Sequence, residues 1–108
     1  MIDRASLTGF DWDDGNARKS DEKHGVGQAE AEQVFFNRPL LIVPDSRHSV
    51  REPRFHALGV TDQGRRLHIT FALRGEADLI RVISARDMSR KERARYAQEA
   101  RAGSRVRE

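Results

Sequence analysis

With 108 residues the chain is one domain with room for a small core, and its lack of cysteine excludes a disulfide framework and thiolate metal sites. The longest purely apolar run, Leu40-Leu41-Ile42-Val43, is far short of a membrane span, and Met1-Ile2-Asp3-Arg4 lacks the layout of a signal peptide, so a soluble cytoplasmic protein is expected. The net charge of +3 is unevenly spread: residues 1–53 hold 7 Lys/Arg against 10 Asp/Glu and residues 81–108 hold 9 against 4, which suits a nucleic acid or an acidic protein partner, and equally a solvated helix face with a basic tail.

Residues 1–9 show no periodicity and read as a flexible lead-in. Phe10-Asp11-Trp12-Asp13 is a short edge strand or an extended anchor for Trp12. Asp13, Asp14 or Asn16 can cap a polar helix running to about His24, with Gly25 as its left-handed stop. A second helix is expected over about 28–37, with Gly27, Ala31, Val34 and Phe35 on one stripe and Pro39 beyond its end. The period then changes. Leu40–Val43 is a first strand, Pro44–Pro53 a polar loop, Phe55–Val60 a second strand and Thr61-Asp62-Gln63-Gly64 a turn. Leu67, Ile69, Phe71 and Leu73 alternate with His68, Thr70, Ala72 and Arg74, giving a third strand with one apolar and one mixed face.

Leu79–Arg86 is the last strand, and its polar end needs an explanation. Strict alternation puts Ser84 and Arg86 on the face begun by Ile80 and Val82, with Arg81 on the other. An arginine on an apolar face must snorkel, find a partner or point into a cleft that takes an anion. Ser89-Arg90-Lys91-Glu92 is a capping box that opens the final helix. The expected fold is α+β: two N-terminal helices, a four-stranded mostly antiparallel sheet and a C-terminal helix, with the helices covering one face. The domain spans 10–100, and 101–108 is a basic tail.

An ordered set of motifs resembles the BrnT family. It comprises Trp12-Asp13, Lys23-His24-Gly25-Val26, Asp45 with His48-Ser49, Glu52 with Arg54-Phe55, Gly59, Gly64-Arg65, Arg74, Ile80 to Arg86, and Glu92-Arg93 with Tyr96. The order and spacing match over roughly residues 10–98. The resemblance implies a RelE-like fold and a bacterial type II toxin that cleaves RNA and inhibits translation. It also implies a BrnA-like antitoxin with a ribbon-helix-helix part, so that DNA is met only indirectly through the antitoxin. Two departures stand out: Ala72 occupies a position where the family commonly has threonine, and Pro53 interrupts the Glu52–Arg54 segment.

Metal-free RNA cleavage uses the ribose 2′-hydroxyl as nucleophile and needs proton-trading groups beside fixed cations. His48, Glu52, Arg54, Arg74, Ser84 and Arg86 are the catalytic candidates, and Lys23, His24, Arg93 and Tyr96 the RNA-binding ones. Each has a structural alternative. His48 can be merely solvated, Glu52 can pair with Arg54 or Arg47, Arg74 and Arg86 can blunt sheet edges, and Ser84 can bond a neighbouring backbone. Tyr96 can seal the core, while Lys23 and His24 suit a helix C-terminus. No cofactor or metal is expected: the histidines at 24, 48, 56 and 68 lack ligand spacing, and no glycine-rich phosphate loop occurs. The competing reading is a non-catalytic module that binds nucleic acid or the antitoxin.

Overall fold

The computed structural model of the chain describes residues 8–45, 47, 52–76 and 78–106. In chain order the elements are β1 (Gly9–Phe10), α1 (Asp14–His24), α2 (Gln28–Phe36), β2 (Leu41–Pro44), β3 (Arg54–Val60), β4 (Arg66–Arg74), β5 (Leu79–Asp87) and α3 (Arg90–Val106). The α+β class is as expected, but the sheet has five strands in the order β1-β5-β4-β3-β2. Phe10 forms the extra strand with Gly9, parallel to β5, while the other pairings are antiparallel. The sheet is therefore mixed. Hairpin-length loops foretold the antiparallel part, and Phe10 lies in an edge strand, one of the two readings of Phe10–Asp13; its parallel partner β5 is far away in sequence, and no local signal announces that pairing.

Local chemistry accounts for the helices. Asp13 and Asn16 cap α1 reciprocally: the Asp13 N–H donates to Asn16 Oδ1 at 2.7 Å and the Asn16 N–H to Asp13 Oδ1 at 3.0 Å. Asn16 is itself buried, and its amide donates to the carbonyls of Asp11 and Val82, which fixes α1 to the edge of β5. Gly25 ends the helix at φ +66°, a conformation that side chains resist. Glu30 reaches back to the Gly27 N–H at the start of α2, and the stripe of Ala31, Val34 and Phe35 turns onto the sheet.

That first sheet face carries the main core. Phe71, Leu67, Ile69, Val26, Val34 and Val82 are fully enclosed, each contributing roughly 1.5–3 kcal/mol by burial. Phe35 packs edge-on against Phe10 and Phe71. Gly59 lies under α2 so closely that an added Cβ would come within 2.6 Å of a Val34 methyl. Its neighbour Leu58 faces the other way, into a second cluster with Met88, Leu41 and Tyr96 of α3. Consecutive strand residues point to opposite faces, so α2 and α3 lie on opposite sides of the sheet. The expectation of helices on one face only is thus corrected. Loop lengths constrain strand order but not the side to which a terminal helix folds back.

The second correction concerns β5. Thr70 is opposite Ser84, whereas the next residue, Phe71, is opposite Val82, so Ile83 is an extra residue forming a β-bulge. One extra residue reverses the alternation. Ile80 and Val82 belong to the main core, while Arg81, Ser84 and Arg86 share the second face, opposite Ala72, Thr70 and His68. Strict alternation had put Arg81 apart from the other two.

Candidate active site

The second sheet face carries the polar groups in rows. Cross-strand partners share a face, so Arg54, Ala72 and Arg81 form one row across β3, β4 and β5; His56, Thr70 and Ser84 form the next; Leu58, His68 and Arg86 form a third. α3 meets the Leu58 end, where Tyr96 packs with Leu58, Met88 and Leu41.

His56 is held from both sides of its ring. Its Nε2 lies 3.0 Å from Asp45 Oδ2, its Nδ1 lies 3.1 Å from the Thr70 hydroxyl, and its ring packs on His68 with centroids 4.8 Å apart. Asp45 is 7% exposed and His56 29%. His68 is more enclosed, and burial first, then the nearby Arg86 guanidinium, pushes its imidazole below the usual histidine range. It is therefore neutral near pH 7.

Carboxylates hold the arginines. Arg86 grips Glu92 with two hydrogen bonds of 2.8 and 2.9 Å. The bonds from Arg86, together with that from the Ser89 N–H, hold the Glu92 carboxyl down at about 2 against the cost of its partial burial. Arg74, at the end of β4, pairs with Glu52. Arg81 pairs with Asp13 at 2.8 Å and Asp11 at 3.5 Å. Behind the sheet, Arg65 joins Glu30, Asp87 and the carbonyls of Gly25 and His24, fastening the α1–α2 corner to the end of β5.

The structure brings together Arg54, Ser84 and Arg86 on one face, with the Glu52–Arg74 pair at the strand ends beside Arg54. His48 lies outside the described residues. Lys23 and His24 close α1 at the Arg65–Asp87 cluster, away from the polar rows. Arg93 is exposed on α3 and donates to the Met88 carbonyl. Tyr96 is buried, its hydroxyl donates to the Pro39 carbonyl at 2.6 Å, and burial raises its pKa. Asp45, His56, Thr70 and His68 were not singled out as site residues from the sequence. The available signal was the mixed face of β4, where polar groups at every second position of a central strand require partners. Among the described residues, no group of three or more His, Asp or Glu could hold a metal ion.

The sequence matches, over residues 12–92, the family described as the ribonuclease toxin BrnT of type II toxin–antitoxin systems. The chain belongs to this family, which implies in general an RNA target and an antitoxin partner. Comparison with curated proteins gives no match. Among the described residues no helix is long and apolar enough to cross a membrane.

Proposed function

We propose that this protein is a metal-independent endoribonuclease toxin that cleaves RNA, inhibits translation in the cytoplasm and is neutralised by a BrnA-like ribbon-helix-helix antitoxin. The fold is read as RelE-like, and DNA is met only through the antitoxin. The observation that carries the reading is the second sheet face, where arginines flank an imidazole network in adjacent rows. Arginine's planar fork suits a phosphate, and fixed cations beside a proton acceptor are what in-line attack by a 2′-hydroxyl requires. Arg54, Arg74 and Arg86 serve as the clamp, Ser84 as a hydrogen-bonding contact, and Glu52 with His48 as proton-trading groups. Lys23, His24, Arg93 and Tyr96 retain the assignment to RNA binding, Tyr96 through the shape of α3 rather than by stacking.

One observation favours a module that only binds. Arg74, Arg81 and Arg86 each hold a carboxylate, so a phosphate must displace Glu52, Asp13 or Glu92 to be gripped. Purified protein free of antitoxin, incubated with RNA in EDTA, separates the readings: the proposal expects cleavage, and retention without products rejects it. Expression without antitoxin should arrest growth. The Arg74→Ala/Arg86→Ala double variant should relieve the arrest and lower cleavage at least about 100-fold while keeping the fold. Wild-type toxicity in the double variant would remove the clamp assignment.

A further inference from the structure

We propose that His56, in place of Glu52 or His48, is the catalytic base that takes the proton from the attacking ribose 2′-hydroxyl, and that Asp45 is its positioning residue. The inference rests on the ribonuclease reading above and deepens it. Asp45, nearly enclosed, accepts the Nε2–H at 3.0 Å, which leaves Nδ1 as the ring's acceptor when the imidazole is neutral. That acceptor meets the Thr70 hydroxyl at 3.1 Å, so an alcohol oxygen already occupies the place where a ribose hydroxyl would bind. Geometry of this kind, a base held by a third group and aimed at an oxygen, is the usual arrangement of a general base.

Cations sit in the adjacent rows. Arg54 lies two residues before His56 on the same strand face, and Arg81 shares the row of Arg54 on β5. On the other side stand His68 and Arg86, followed by Glu92 of α3. His68 is the weaker candidate because its side chain is 12% exposed and packed between His56 and the Arg86–Glu92 pair. A phosphate over Arg54 would bring the 2′-oxygen of the adjoining ribose toward His56, where the 2′-hydroxyl takes the place of the Thr70 hydroxyl at Nδ1. The 2′-hydroxyl proton moves to Nδ1, the 2′-oxygen–phosphorus bond forms and the bond to the 5′-oxygen breaks. The leaving oxygen takes a proton from water, and the product end is a 2′,3′-cyclic phosphate.

The test is single-turnover cleavage of end-labelled RNA in EDTA from pH 5 to 9 by wild type, His56→Ala, His56→Gln and Asp45→Asn. Glutamine keeps a donor and an acceptor for Asp45 and Thr70, so the network stays filled. Both His56 variants should lose about 100-fold or more in rate. They should retain RNA on a filter at the wild-type salt concentration, and added imidazole should restore part of the rate of His56→Ala. Asp45→Asn should slow cleavage about tenfold and move the acid limb of the rate profile. The groups that bear on that limb are Asp45, His68, Arg54, Arg86 and Glu92. Folded His56 variants that cut at the wild-type rate, or that lose rate with no imidazole rescue and an unchanged pH profile, overturn the assignment.

A second measurement needs no variant. A 2′-O-methyl oligonucleotide, which cannot be cleaved, should shift the His56 ring-nitrogen resonances of the wild-type protein, and unmoved resonances overturn the assignment. A wild-type protein that cuts no RNA overturns the ribonuclease reading and this inference together. A wild type that cuts while the His56 variants cut equally well overturns this inference alone.

Discussion

Glu92 joins two devices at a single carboxylate. Its Oε1 accepts the Ser89 N–H at 2.8 Å and its own N–H donates to the Ser89 hydroxyl, completing the capping box of α3. The same carboxylate holds Arg86. Its folded-state pKa of about 2 lies below the ordinary 4.5, so its contribution to stability is complete above about pH 4.5 and fades as the pH falls toward 2. Glu92→Gln should therefore cost about 1–2 kcal/mol at neutral pH and flatten the acid limb of stability. Urea unfolding of both proteins at pH 3, 4, 5 and 7 measures this, and parallel pH dependences would contradict it. The sequence showed the capping box and singled out Arg86 as needing a partner. That one glutamate serves both depends on the angle at which β5 turns into α3, which spacing does not encode.

At the level of elements, most of the fold was readable because patterns of period 2 and 3.6 dominate long segments. Helix α2 ends one residue earlier than expected at Phe36, and β3 begins one residue earlier at Arg54. Features set by contacts between distant segments have no such pattern: the parallel partner of β1, α3 across the sheet from α2, and the bulge at Ile83. Gly59 illustrates how such a contact constrains a residue whose own conformation is ordinary. Gly59→Ala would push a methyl group into Val34, whose backbone carbonyl is also only 3.4 Å from that Cβ, so the helix cannot simply yield. The expected loss is about 1–3 kcal/mol by thermal or urea unfolding, with part of it recovered in the Gly59→Ala/Val34→Ala double variant. No recovery would mean that the strain lies elsewhere than at the β3–α2 contact.

For the molecule as a whole, charge is partitioned in space as well as in sequence. Acidic residues of the N-terminal half are used internally: Asp11 and Asp13 hold Arg81, and Glu30 holds Arg65. Among the described residues, the basic surplus of the C-terminal part lies largely on α3, where Arg90, Lys91, Arg93 and Arg95 are exposed. RNA retention by a catalytically silenced variant should therefore depend on salt. If about three phosphates are contacted, raising NaCl from about 0.05 to 0.2 M should weaken binding roughly tenfold or more. Filter binding across that range checks the slope, and a flat response would exclude a phosphate-dominated interface. Charge asymmetry was legible from the sequence, but its division into spent and unspent charge required the ion pairs.

The bulge at Ile83 makes β5 forgiving of a change in its length. The strand is two short segments, Leu79–Val82 and Ser84–Asp87, whose reading frames differ by one residue. Removing the codon for Ile83 would join Val82 to Ser84 and give strict alternation, with Ala85 still turned to the core and Ser84 and Arg86 still on the polar face. Flattening the bulge with Ile83 kept would do the opposite, aiming Ser84 and Arg86 into the apolar interior and Ala85 out of it. Ile83 is thus the residue that the two-faced pattern of β5 can spare.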